Sequence, residues 1–185
     1  MQRDLVLRAQ AGDVHAFSAL TVGSTTRLYA AARLILRSDE RAADAVQDTL
    51  LQAWVDLRAL RDPDRFDAWL HRLLVRACFR AAKRYRVRDI AEIQMPMEAE
   101  ALTPDTQRAL AVRDQLERGF RRLSTEQRAV LVLRHYLGLS LLESAEVLGV
   151  PLGTVQSRVN RATKAMRAAL DADDRPAEMA SEIAR

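Results

Sequence analysis

The segment from Ser140 to Ala162 constrains the fold of this chain more than any other, because it has the pattern of two helices joined by a tight turn. Ser140 followed three residues later by Glu143 is a capping-box pattern, which begins a helix. Gly149 then favours the left-handed conformation that ends a helix, and Pro151 turns the chain. The segment therefore predicts a helix-turn-helix.

The second of these two helices has one apolar face and one polar face. Val155, Val159, Ala162 and Met166 recur at helical spacing and form the apolar face. The polar side carries hydroxyls, amides and cations, the groups that contact base edges and phosphates in DNA complexes. These candidate DNA-binding residues are Thr154, Gln156, Ser157, Arg158, Asn160, Arg161 and Lys164. An ordinary helical hairpin with a solvated polar face is the alternative interpretation.

Composition favours an all-α fold with a polyanionic partner. Alanine, leucine and arginine dominate the 185 residues, which could form one large or two small domains, and the formal net charge is +4. Cys78 is the only cysteine, which excludes an internal disulfide or a cysteine-based zinc cluster within one chain and predicts a small core residue. The N-terminus lacks the apolar run of a signal peptide and no segment could span a bilayer, which predicts a cytoplasmic protein.

A short N-terminal helix and two longer helices are predicted ahead of a charged loop in the N-terminal half. Asp13 is a candidate cap for the first of the two longer helices. The inner face of that helix is predicted to carry Phe17, Leu20, Leu28, Ala31 and Ile35. The second longer helix is predicted from Glu40 to Leu57, with an inner stripe of Ala43, Val46, Leu50, Ala53, Trp54 and Leu57. Another side of this helix carries Asp44, Gln47, Asp48 and Leu51, which could be a solvated face or a docking surface for a protein partner.

A basic ridge is predicted on the next helix, after the charged loop from Arg58 to Arg65. The core face of this helix is predicted to comprise Phe66, Trp69, Leu70, Leu73, Leu74, Ala77 and Ala81. Its flank carries the ridge Arg72, Arg76, Arg80 and Lys83. Like charges at this spacing repel by a few tenths of a kcal/mol per pair, roughly, and phosphates would outweigh that repulsion. A solvated basic face is the alternative.

Helical periodicity fades after residue 86. Residues 87–107 are predicted to be an extended acidic linker, and a second helical module is predicted from 108 to 170, beginning with a helix that carries Leu110, Leu116 and Phe120. Ser124 and Gln127 form another capping-box pattern. Residues 171–185 are predicted to be a disordered tail. The fold class is therefore all-α, with two small helical domains joined by a linker.

Enzymatic function has little support in the sequence. His15, His71 and His135 fall on separate helices, and no two of them have metal-ligand spacing. The sequence offers neither a glycine-rich phosphate loop nor a nucleophile–base constellation, and it predicts no cofactor. His71 and His135 are predicted to be surface or helix-end residues.

Three segments together resemble a bacterial RNA polymerase sigma factor of the extracytoplasmic-function group. The segment Asp44 to Trp54 is similar to the region-two helix that grips the polymerase clamp coiled coil. The segment Arg65 to Leu73 is similar to the helix that handles the minus-ten element, and Leu123 to Ala162 resembles region four, which reads the minus-thirty-five element. The order of these segments and the absence of a middle module also fit the small group.

The resemblance implies a partner for each candidate surface. Residues 1–86 would be region two, with Asp44, Gln47, Asp48 and Leu51 binding core polymerase. The separated minus-ten strand would be held by Arg58, Arg61, Asp62, Arg72, Arg76, Arg80 and Lys83. Residues 108–170 would be region four, which also meets the polymerase flap. A partner anti-sigma factor is expected from the family.

Some positions depart from the family pattern, and one alternative function remains. Family members often carry asparagine and aspartate at the positions of Arg76 and Arg80, and a large aliphatic residue at the position of Ser144. These differences bear on promoter preference and leave the class unchanged. A stand-alone helix-turn-helix regulator, with a first module that dimerises, is the alternative; it would bind its DNA site without polymerase.

Overall fold

The first module consists of four packed helices in residues 2–86. They are α1 (Gln2–Gln10), α2 (Val14–Leu36), α3 (Asp39–Asp56) and α4 (Phe66–Arg86). The structure is a computed structural model that describes residues 2–86 and 117–183, with side chains described in 2–84 and 117–171. As predicted, Asp13 caps α2, and its side chain accepts a hydrogen bond of 3.0 Å from the Ala16 amide.

The predicted inner faces of α2 and α4 are largely confirmed. Leu28 and Ile35 of α2 are buried together with Phe66, Leu70 and Leu74 of α4, while the aromatic rings at 17 and 69 are only partly covered. Cys78 is also buried, as predicted, and burial raises the pKa of its thiol to about 12. A thiol in this environment stays protonated and unreactive, so it serves as a small core residue.

The predicted inner stripe of α3 is partly wrong. The residues that pack into the core are Ala42, Ala45, Val46, Thr49 and Ala53. Ala43 is exposed, and Trp54 is 38% exposed. The apolar part of α3 is wider than the contact with its neighbours, so one edge enters the core and the other stays open. Periodicity reports which side of a helix is apolar and leaves unspecified what covers it.

The second module contains the helix-turn-helix. Residues 117–121 form the described part of its first helix, and α5 (Thr125–Leu131) continues into a π-helical turn, Val132–Tyr136. Next come α6 (Leu141–Leu148) and α7 (Leu152–Ile183). The predicted capping boxes at Ser124 and Ser140 are both present.

The turn between α6 and α7 has the predicted geometry. Gly149 is left-handed, with a φ of 67°, and its amide donates to the Ala145 carbonyl. Val155 and Ala162 of α7 are fully buried in the second module. The order helix, left-handed glycine, proline and helix therefore fixes the angle at which α7 leaves the turn.

α7 is longer than the sequence predicts. The helix continues to Ile183, so the prediction that the disordered tail begins at residue 171 is wrong for residues 171–183. Residues 171–183 include alanine, glutamate, arginine and methionine, which are strong helix formers. The predicted linker 87–107 and the helix start near Arg108, with Leu110 and Leu116, lie outside the described residues.

The two modules contact each other directly. Ala129, Val132, Leu133, Leu137 and Val147 of the second module join the same buried apolar cluster as the core of the first. The packing involves α6 against α4 and α5 against α2. Within the described residues, no helix is both long enough and apolar enough to cross a membrane.

Candidate functional site

An open apolar groove of about 790 Å³ lies between α2 and α3. Its walls include Phe17, Tyr29, Val46, Leu50, Leu51 and Trp54. The Phe17 and Trp54 rings meet edge to face, with centroids 5.0 Å apart, so the aromatic part of the wall is well fixed. An apolar groove with rigid aromatic walls fits the apolar face of a helix from another protein.

Two of the four candidate docking residues line this groove, and the other two are their neighbours in the sequence of α3. Gln47 and Leu51 line the groove, and Leu51 is 60% exposed. Asp44 is exposed beside them. Asp48 is partly exposed and forms an ion pair of 3.4 Å with Arg84 of α4. The sequence pattern places Trp54 and Ala43 in the core, although both line the groove. The excess width of the apolar stripe on α3 is the signal in the sequence that points to this.

The basic ridge of α4 faces solvent over most of its length. Arg76, Arg80 and Lys83 are exposed, while Arg72 is partly buried. The Nε atom of Arg72 has no hydrogen-bond partner among the residues that the structure describes. The ridge therefore presents a line of cations on one side of α4, suited to follow a phosphate backbone.

The loop before α4 forms two short 3₁₀ turns. They span Leu57–Ala59 and Pro63–Arg65, and Arg58 and Arg61 are exposed there. The Asp62 carboxylate accepts a 3.0 Å hydrogen bond from the Asp64 amide. It therefore caps the second turn and positions the start of α4.

The polar face of α7, which carries the candidate DNA-binding residues and is called the reading face below, is largely open to solvent. Gln156 and Asn160 are exposed and lie one turn apart, as two side chains that share a groove would require. Ser157 accepts a hydrogen bond of 3.4 Å from Arg161 Nη2. Lys164 is exposed, and Thr154 and Arg158 are partly covered.

His71 is enclosed, in contrast to the predicted surface position. It is partly buried on α4, and its Nδ1 atom has no hydrogen-bond partner within the described part of the chain. Burial lowers the pKa of His71, nearby Asp67 acts in the opposite direction, and Arg27 lowers it further. The sequence places Arg27 far from His71, which is why the helical wheel alone missed this environment.

We expect the depressed pKa of His71 to make the fold less stable in mild acid. Below the ordinary pKa of about 6.5, the unfolded chain takes up a proton that the folded state resists, so stability falls with decreasing pH until the folded-state pKa is passed. His71→Gln should reduce this loss between pH 7.5 and pH 5, as measured by urea unfolding. The exposed His15→Gln serves as the control and should unfold like wild type at each pH; equal pH dependence in both variants contradicts the prediction.

Comparisons with known proteins match both modules. A family model described as Sigma-70 region 2 matches residues 25–88, and one described as Sigma-70, region 4 matches residues 113–166. The chain is 35% identical to the ECF RNA polymerase sigma factor SigM of Mycobacterium tuberculosis, over 86% of this chain and 79% of that protein. It is 33% identical to the RNA polymerase sigma factor CnrH of Cupriavidus metallidurans, over 92% of this chain and 95% of that protein.

Solved structures give the same picture. CnrH in complex with the cytosolic domain of CnrY aligns with a TM-score of 0.67 and 31% identity, covering 93% of this chain and 98% of that one. The sigma factor RpoE of Bartonella quintana, in complex with the anti-sigma factor NepR, aligns with a TM-score of 0.66 and 28% identity, covering 86% of this chain and 99% of that one.

Proposed function

The chain belongs to the extracytoplasmic-function group of sigma-70 transcription initiation factors, and on that premise we propose how its surfaces divide the work. The first module, residues 1–86, binds core polymerase and the opened minus-ten element. The second module, residues 108–170, reads the minus-thirty-five element and meets the polymerase flap. Residues 87–107 link them, and residues 171–183 extend the last helix. The open groove beside exposed acidic residues is the observation that carries the proposal.

The groove supports docking on the polymerase clamp through complementary chemistry. Its walls are apolar, and the same helix also carries the carboxylates of Asp44, which is exposed, and Asp48, which pairs with Arg84. A helical partner with an apolar stripe and flanking basic residues would bury both kinds of surface at once. Gln47 and Leu51 line the groove, where such a partner would contact α3.

The ridge supports binding of the separated non-template strand. Arg76, Arg80 and Lys83 provide charge for phosphates, with Arg72 beside them and Arg58 and Arg61 in the adjoining turns. Extruding a base from the duplex costs a few kcal/mol, roughly, so binding of the unpaired strand makes opening favourable. Asp62 has a capping role in this loop, and its predicted strand contact remains a prediction.

Replacing two ridge arginines should lower the salt dependence of strand binding. Each cation that neutralises a phosphate on a single strand contributes about 0.7 to the slope of log affinity against log salt. For Arg76→Gln/Arg80→Gln in complex with core polymerase, the slope for a minus-ten oligonucleotide should therefore fall by about 1.4. Arg167→Gln, an exposed arginine of α7, is the control and should keep the wild-type slope; an unchanged slope in the double variant excludes these contacts.

The reading helix supports recognition of duplex DNA in the major groove. Gln156 and Asn160 are the amides suited to base edges, where a bidentate amide–adenine pair discriminates by about 1–3 kcal/mol. The remaining polar residues of this face hold phosphates, and Arg161 can also reach a guanine. They are Thr154, Ser157, Arg158, Arg161 and Lys164.

The regulation, chemistry and location of the chain follow from the same premise. An anti-sigma factor is bound to the similar RpoE, and we propose that such a partner also controls this chain. The chain acts by binding alone, without an active site of its own, and it works in the cytoplasm, where bacterial polymerase transcribes.

A DNA-binding experiment separates this proposal from a stand-alone helix-turn-helix regulator. The purified chain should bind duplex promoter DNA weakly by itself and tightly in the presence of core polymerase, as read in a mobility-shift assay. A regulator would bind its site equally well without polymerase. Tight, sequence-selective binding by the free chain would favour the regulator.

A further inference from the structure

Arg37 and Arg121 come from different modules and lie close enough for their charges to interact. Arg37 directly follows α2, and Arg121 is the last residue of the first helix of the second module. Burial lowers the pKa of the Arg37 guanidinium, Arg121 lowers it further, and the opposite effect of Glu117 is the weakest of the three. Within residues 2–84 and 117–171, neither arginine side chain has a hydrogen bond or an ion pair. The positive charge at this point is therefore only partly neutralised.

Arg128 of α5 adds a third cation beside Arg37. Its Nε atom donates to the Ile35 carbonyl at 2.6 Å, and its Nη1 atom donates to the Leu123 carbonyl at 2.6 Å, so the guanidinium is fixed near the end of α2. Burial, with a further contribution from Arg37, lowers the pKa of Arg128 to about 10, and the group remains a cation at neutral pH. Arg37 therefore lies near two other cations, one exposed and one fixed by carbonyl oxygens.

The backbone of Arg37 has a conformation that residues with a side chain rarely adopt. Its φ of 59° and ψ of 34° are left-handed, and it is the one non-glycine residue of this kind among the residues that the structure describes. Its amide donates to the Arg33 carbonyl at 2.7 Å and so ends α2, a role that glycine fills without strain. The backbone role does not explain a long cation here, and strain of this kind is typical of functional positions.

Stabilisation of the end of α2 accounts for one of the three cations. Cations are favourable near the last carbonyls of a helix, and Arg128 fills this role through its bond to Ile35. Arg37 repels both Arg121 and Arg128, so further cations at the same point destabilise the fold unless an anion joins them. The cluster formed by these three residues, the arginine cluster below, therefore has the charge and the free donors of an anion site.

We propose that Arg37 and Arg121, with Arg128 beside them, bind a phosphate group carried by inorganic phosphate or by a nucleotide. A guanidinium presents two parallel N–H groups that match two oxygens of a phosphate, and two guanidiniums can share its four oxygens. Glu117, the carboxylate that acts on Arg37, also lies 3.7 Å from Arg33 and is shared between them. A phosphate group carries about −1.5 to −2 charges at neutral pH, which offsets the positive charge that remains.

The arginine cluster is separate from the surfaces of the proposed function. None of its residues lines the groove between α2 and α3, and none belongs to the ridge of α4 or the reading face of α7. Phosphate binding is measured on the full chain alone, without polymerase or promoter DNA. The result therefore tests the phosphate site independently of the proposed function.

Isothermal titration calorimetry of the full-length chain with sodium phosphate, at constant ionic strength and without divalent metals, tests the site. We expect saturable binding of one phosphate per chain. Arg37→Gly/Arg121→Gln should weaken this binding at least about 10-fold, the effect of losing one hydrogen bond to a charged group. Arg121→Gln alone changes an exposed side chain, leaves the backbone at Arg37 as it is, and should also weaken binding.

Two controls separate a ligand site from a structural role and from a general effect of charge. Glycine relieves the left-handed strain at position 37, so without phosphate the double variant should unfold in urea no earlier than wild type. Arg76→Gln/Arg80→Gln removes two charges from the ridge of α4 and should bind phosphate like wild type. Adenosine monophosphate is the second titrant: equal affinity for both titrants assigns the site to phosphate itself, and tighter binding of the nucleotide assigns it to a nucleotide.

Three results would overturn the phosphate site. The first is the absence of saturable phosphate binding to the wild-type chain. The second is a phosphate affinity that is unchanged in Arg37→Gly/Arg121→Gln, or that falls equally in the ridge variant. The third is binding of a single-stranded oligonucleotide that depends on Arg37 and Arg121 while neither phosphate nor the nucleotide binds, because that result assigns the arginine cluster to nucleic acid.

Discussion

Leu51→Arg should weaken binding of core RNA polymerase by about 30- to 1000-fold while the fold is retained. Leu51 is 60% exposed on the wall of the apolar groove, so its replacement leaves the core of the module intact. A charge at the centre of an apolar contact removes about 2–4 kcal/mol, the range of a central interface residue. Titration of labelled chain with core polymerase, followed by anisotropy, measures the loss.

Val55→Arg is the matched control for this prediction. Val55 lies one turn after Leu51 on α3 and is 72% exposed, yet it does not line the groove. It should bind polymerase like wild type. Asp48→Arg should also lose binding, although its ion pair with Arg84 makes Leu51 the sharper probe. Equal polymerase affinity of Leu51→Arg and Val55→Arg would contradict docking through the groove.

Gln156→Ala/Asn160→Ala should remove the preference for adenine at the minus-thirty-five element. Each amide is exposed on the reading face, and a bidentate contact to adenine discriminates by about 1–3 kcal/mol, or about 5- to 150-fold in affinity. Selection of promoters from a library with randomised upstream DNA, using polymerase loaded with the chain, measures preference at every position. The double variant should lose preference at neighbouring upstream positions.

Preference at the minus-ten element serves as the internal control of that selection. The minus-ten preference depends on the first module and should be the same for wild type and for the double variant. Arg167→Ala, which changes an exposed residue beyond the reading face, should return the wild-type upstream consensus. An adenine preference that survives in the double variant would show that other side chains read those bases.

Local chemistry explains which parts of the fold could be predicted. A cap or a left-handed glycine acts on the backbone within a few residues, so the pattern in the sequence contains the whole interaction. Local interactions of this kind include the capping boxes at Ser124 and Ser140, the N-cap at Asp13 and the turn at Gly149. The buried faces of α2 and α7 follow as directly, because each packs against a single core.

Contacts between distant segments explain what the sequence could not reveal. Arg128 donates a hydrogen bond to the carbonyl of Ile35, which lies 93 positions earlier in the sequence. Helical periodicity contains no sign of this contact. His71 is enclosed partly because α2 brings Arg27 close to it. The sequence pattern places Trp54 in the core, because an apolar stripe has the same pattern whether the chain itself or a partner covers it. The candidate DNA and polymerase contacts depend on molecules outside the chain, so they remain predictions.

Run-off transcription with purified core polymerase measures whether the groove on α3 brings polymerase to its promoters. Promoter templates are selected from the randomised library, and the start of each transcript is mapped in the presence and absence of the chain. We expect accurate initiation only when the chain is present, retained with Val55→Arg and lost with Leu51→Arg. Initiation that is equally accurate without the chain, or full activity of Leu51→Arg, would contradict the claim that this groove brings polymerase to its promoters.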